Sequence, residues 1–219
     1  MILRGPLCMP YRNPKTSVFP KLWLAQESRF PMLDNEKRTR ILQAAQSLFI
    51  RYGVKRTSID EVARAADIAK GTLYLYYESK EMLFAEVAKN ICADILAEAR
   101  RAASMPVPLA ERLVGILDAE IGVLHRLVEH SPHVRELTET KEAIASAAFA
   151  TLDRDIKQLI TTVLSEENIA RQDAAEMFIA AAVGTTQSGD TSAELYRSRL
   201  RAIVDILLVG LKQTCETLK

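Results

Sequence analysis

The chain has 219 residues, 48% of them apolar and 26% charged, with a net charge of +1. That balance fits a globular protein long enough to bury a real core. Three cysteines, Cys8, Cys92 and Cys215, are too scattered for a disulfide framework or a metal site, and no apolar run reaches the ~20 residues that a membrane span needs.

Residues 1–33 hold five of the eight prolines and carry five Lys/Arg against one acid. No helical period survives there. Two readings compete for this irregular N-terminal extension: a basic arm that touches DNA phosphates, or an inert stretch ahead of a start at Met32. The inert reading is preferred. The remaining chain is poor in Gly and Pro and rich in Ala, Leu, Ile and Glu, and no segment alternates with period two. An all-α body follows.

The first helix is expected over Asn35–Tyr52, with Asp34 as its N-cap and Gly53 as its stop. Ile41, Ala44, Ala45, Leu48, Phe49 and Tyr52 share one face. A second helix starts at Ser58, which forms a capping box with Glu61 and turns Ile59, Val62, Ala63 and Ala66 inward. After a turn at Asp67-Ile68, a third helix runs from Lys70 to Tyr76. Ser79 caps a fourth, Lys80–Ala103, with Leu83, Phe84, Val87, Ile91 and Ile95 on one side. Met105-Pro106-Val107-Pro108 breaks the chain. Beyond it helices are expected over about 108–130, after Ser131-Pro132, and over 141–165, 173–187 and 192–217. Thr191 and Glu194 form a further capping box.

Residues 58–77 thus read as a helix-turn-helix, whose second helix enters the major groove of DNA. Its first turn carries the needed chemistry. Gly71 lets the backbone approach a phosphate or base edge, Lys70 reaches a phosphate or a guanine, and Thr72 reaches either. Tyr74 and Lys80 are placed for the flanking phosphates, and Thr57 and Ser58 can do the same. Tyr76 fits a DNA contact or the core equally well. Leu73 and Tyr77 belong inside, against Ile41, Leu48 and Val62. Lys55 and Arg56 read as a solvated pair.

At this point AADIAKGTLYLYYESKEML, from Ala65 to Leu83, resembles the signature of the TetR (tetracycline repressor) family. RILQAAQSLFIRYGVKRTSIDEVARAA resembles the family's first two helices, and the resemblance covers about residues 35–95. Three positions depart from the pattern. Asp67 replaces a glycine, Ala69 replaces a Ser or Thr that would cap the third helix, and Leu75 replaces a polar or aromatic contact residue. The resemblance implies a DNA-binding domain over 34–95, joined by the fourth helix to an effector-binding and dimerisation domain over 108–219. It implies a cytoplasmic transcriptional regulator, most simply a repressor, that binds a palindromic double-stranded DNA operator as a homodimer. An unidentified small-molecule effector would release it.

The residues of the second half agree with that organisation. Leu200, Ile203, Val204, Leu207 and Leu211 form a stripe, and Ala180, Ala181 and Gly184 permit close helix approach. Two such helices from each subunit could build a four-helix interface. Effector residues are not derivable. Phe149, Met177, Phe178 and Gln187 fit a pocket or simply the core. His125, His130 and His133 lack the Cys or acidic neighbours of a metal site, so no metal or cofactor is expected. The rival class is an all-helical interaction module or an enzyme. An enzyme would need a convergent acid, base or nucleophile, and no such order is present.

Overall fold

The computed structural model describes residues 35–123, 126, 131–186 and 193–217. The extension over 1–33, Asp34, His125, His130, Gln187 and the Thr191 cap lie outside them. Every regular element among the described residues is helical. These are α1 (Asn35–Tyr52), α2 (Ile59–Ala65), α3 (Lys70–Tyr76), α4 (Lys80–Ala103), α5 (Leu109–Leu117), α6 (Val134–Thr140), α7 (Ser146–Glu166), α8 (Ala174–Thr186) and α9 (Ala193–Thr217).

The first four helices match their expected bounds because each start and stop is written locally. Gly53 ends α1 at φ +81°, a conformation that costs glycine little. A Cβ there would also lie 2.5 Å from a Glu136 carboxylate oxygen. At Ser58 the capping box is complete: Ser58 Oγ accepts from Glu61 N (3.2 Å), and Ser58 N donates to Glu61 Oε2 (2.7 Å). These bonds hold the Glu61 carboxyl below its ordinary range. Asp67 adopts the left-handed φ of +55° that the turn demands. Ser79 Oγ accepts from Met82 N at the start of α4.

Two differences from the sequence reading have physical causes. Tyr52 closes the expected α1 stripe but is 45% exposed, while Leu42 is buried in its place. At the end of the helix the Tyr52 ring lies instead under the Arg51 guanidinium, 5.2 Å from its centre. The second difference concerns widened turns. Instead of uninterrupted helices, α5 passes into a π-helical turn at Asp118–Gly122, and α6 passes into another at Lys141–Ala145 before α7 begins. Periodicity of apolar residues does not register one inserted residue.

Two hydrophobic clusters result. One joins α1–α3 to the first half of α4, with Phe49 and Leu73 at its centre, and also takes in Leu137 and Ala145 from the α6 region. The other joins the second half of α4 to α5, α7, α8 and α9 around Leu113, Ile156 and Phe178. The α4 helix serves both. Its crossing with α5 is close, since a Cβ on Gly115 would come within 2.7 Å of Ala102 Cβ. No described helix is long and apolar enough to cross a membrane.

Candidate nucleic-acid interface

The α3 helix is short and is held from one side. Leu73 is fully buried and Tyr77 is nearly so, which anchors α3 on the α1–α2 cluster. The opposite side is open. Tyr74 is 44% exposed and Leu75 72% exposed, unusual for apolar side chains on a seven-residue helix. A Cβ built on Gly71 would meet nothing within 4 Å among the described residues, so nothing among them requires glycine there. Thr72 is half-buried, and its hydroxyl has no hydrogen-bond partner among the described residues. Ala69 occupies the N-cap in extended geometry without a side-chain bond to the helix start.

Lys70 lies on this open side but is not idle. Its ammonium pairs with Asp60 of α2, 2.8 Å from Oδ1, and the carboxylate raises the lysine's pKa. Both groups are more than half exposed, so the pair is worth little to stability. It orients Lys70 without removing it from reach of a stronger anion.

Three expected contact residues are occupied within the chain. Thr57 is buried, and its hydroxyl donates to Gly53 O at 2.7 Å. It therefore offers no surface donor, contrary to the expectation from its position before α2. Ser58 spends its hydroxyl on Glu61, both accepting from its N–H and donating to its carboxylate. Lys80 points back, its ammonium donating to Lys55 O and Thr57 O, each at 3.2 Å. Together Thr57 and Lys80 tie the α1–α2 connection to the start of α4. Tyr76 is half-buried, its ring 6.4 Å from that of Tyr77. Lys55 and Arg56 are exposed, as a solvated pair should be.

Sequence reasoning missed three residues that shape this surface. Asp60 sits ten residues before Lys70, a separation with no local signal. Glu136 of α6 accepts from Lys55 N at 2.6 Å, and Ser131 Oγ donates to Ile50 O at 2.6 Å. Both bonds tie the end of α1 to a segment some eighty residues later, a pairing no spacing rule reveals. His133 lies beside Gly53, and no group of metal-binding side chains occurs among the described residues.

Comparison with known proteins bears on this surface directly. Residues 41–87, from α1 into α4, match the family model described as bacterial regulatory proteins, tetR family. The HTH-type transcriptional regulator YhgD of Bacillus subtilis is 32% identical over 78 residues, 36% of this chain and 41% of that protein. The HTH-type transcriptional repressor KstR of Mycobacterium tuberculosis is 26% identical over 152 residues, covering 69% of this chain and 67% of that protein. The matches thus span from under half to about two thirds of these relatives. A TetR-like transcriptional regulator from Rhodococcus sp. RHA1 superposes with a TM-score of 0.58 at 23% identity, over 83% of this chain and all of that one, a likeness of fold. The helix-turn-helix signature and the family match agree over residues 41–87, which carry the DNA-binding pattern of the tetR family of bacterial regulatory proteins, and the helix order among the described residues is that of the solved TetR-like fold.

Proposed function

We propose that this protein represses transcription by binding a palindromic operator as a homodimer, and that a small molecule releases it. The observation that carries the reading is α3. Its outward side presents Gly71 over open space, Lys70, Thr72, Tyr74 and Leu75, and no other part of the described chain covers them. A major groove supplies what each lacks: phosphates for Lys70 and Tyr74, close backbone approach at Gly71, and a thymine methyl for Leu75. Residues 34–95 are the reading head in this proposal, and residues 108–219 hold the effector and the dimer interface. Such a protein works in the cytoplasm, where the DNA is, and catalyses no reaction.

The dimer draws support from exposed apolar side chains on the last two helices. Ile206 is 70% and Val209 56% exposed on α9, and Val183 is 38% exposed on α8. A Cβ built on Gly184 would meet nothing within 4 Å among the described residues. Small residues between exposed apolar ones suit close packing against a second copy. The name of the KstR relative supports repression as the direction of control.

Selection of bound sequences from a random duplex library at moderate salt tests the reading. Recovery of a palindrome with half-sites about one helical turn apart or slightly more is the expected result. Recovery of no sequence above background, with protein refolded free of ligand, overturns it.

A further inference from the structure

A cavity of about 150 Å³ lies where α1 meets α4, α6 and α7. Its walls are apolar: Phe49 and Ile50 from α1, Val87 and Ile91 from α4, Leu137 from α6 and Phe149 from α7. One cation borders it. Lys141, in the π-helical turn between α6 and α7, holds its ammonium 4.5 Å from the centre of the Phe149 ring. Lys141 is half-buried and makes no ion pair among the described residues. Gln46 and Thr138 add neutral polar groups to the lining.

We propose that this junction cavity is an effector site of the regulator described above, shared between the reading head and residues 108–219 rather than enclosed by the latter alone, and that it takes a carboxylate monoanion with an apolar body about the size of one ring. The size argument is direct, since an apolar cavity of about 150 Å³ accommodates a benzene-sized body. The charge argument follows from Lys141. A half-buried ammonium over an aromatic face, with no ion-pair partner among the described residues, gains most from an anion, less from a neutral group, and repels a cation. A ligand here touches the reading head through Phe49 and Ile50, and the effector half through Leu137 and Phe149. The same two parts are joined by Lys55 N–H on Glu136 and Ser131 on Ile50 O. Any change of angle between them reshapes the cavity wall. The ligand therefore binds the two angles unequally, which is the condition for coupling to DNA affinity.

Titration calorimetry on the full chain, without DNA, tests the site with benzoate and cyclohexanecarboxylate, against benzyl alcohol and benzylamine. The carboxylates are expected to bind saturably and better than benzyl alcohol, with benzylamine weakest. Lys141→Met should weaken the carboxylates roughly tenfold and leave benzyl alcohol unchanged, while Lys141→Arg retains them. Ala88→Phe, which fills the cavity, should abolish binding of all probes. No saturable binding of either carboxylate, or equal binding to Lys141→Met, overturns the site. Binding that leaves the affinity for a selected operator unchanged overturns its regulatory role. Absence of any operator instead counts against the regulator reading and leaves the calorimetry standing.

Discussion

Single residues on the reading head divide into those that hold its shape and those that face outward. Thr57 is of the first kind. Replacing it by Val keeps the volume but removes the 2.7 Å hydroxyl bond to Gly53 O and leaves only the longer bond from Thr57 N–H at 3.3 Å, so Thr57→Val should lose about 1 kcal/mol in urea unfolding. Lys70 is of the second kind. Lys70→Ala should weaken binding to all DNA sequences and reduce the salt slope by about one. Asp60 competes with phosphate for that lysine, so Asp60→Asn should tighten DNA binding about two- to fivefold by gel shift at low salt. Glu120 stands apart from the head. It is buried in the first π-helical turn with one carboxylate oxygen unpartnered. Burial, and secondarily Asp153, push its pKa up to about 7 against the opposing pull of Lys157. A carboxyl raised in the folded state binds its proton more tightly there than in the unfolded chain. Stability is then lost as pH rises from about 4.5 to about 7. Glu120→Gln should flatten that decline and raise the unfolding midpoint at pH 8.

At the scale of elements, the weakest joint of the head is the start of α3. Ala69 has the extended backbone of an N-cap, at φ −69° and ψ 145°, yet lacks the side chain to use it. Ala69→Ser should stabilise the protein by about 0.5–1 kcal/mol, read as a higher urea midpoint at unchanged slope. Seven residues make too short a helix to stand alone, so α3 depends on Leu73 and Tyr77 reaching the α1–α2 cluster. Its outward residues are then not needed for the core. By contrast α4 contributes to both hydrophobic clusters, and the described residues from Glu36 onward belong to one compact unit. Head and body are therefore mechanically linked through a packed helix, with the bonds of Ser131 and Glu136 as a second connection.

For the whole molecule, the proposed dimer rests on the exposed apolar residues of α8 and α9. Ile206→Glu places a charge where a partner helix would pack. It should convert a dimer to a monomer by sedimentation or light scattering, and should lower operator affinity by removing the second reading head. Unchanged mass would mean that another surface joins the subunits.

How much was legible in the chain follows from the range of each interaction. Helix starts, stops and inward faces of α1–α4 are fixed by contacts within four residues, so Ser58, Gly53, Asp67 and Leu73 could be read directly. The turn signature from Ala65 to Leu83 is equally local, which is why the family was visible before the fold. The spent donors were not. Thr57 and Lys80 are separated by twenty-three residues, and only folding brings that ammonium onto the Thr57 carbonyl. Of the four residues weighed for a pocket, Phe178 is fully buried core and Phe149 lines the junction cavity. Periodicity marks both as apolar and inward, and cannot tell packed from open space. By itself the sequence determined the all-helical class, the bounds of α1–α4 and the turn between α2 and α3. The tertiary structure alone decided which donors remain free, how α6 is tied to the end of α1, and where a cavity is left. Those depend on residues that meet only after the chain has packed.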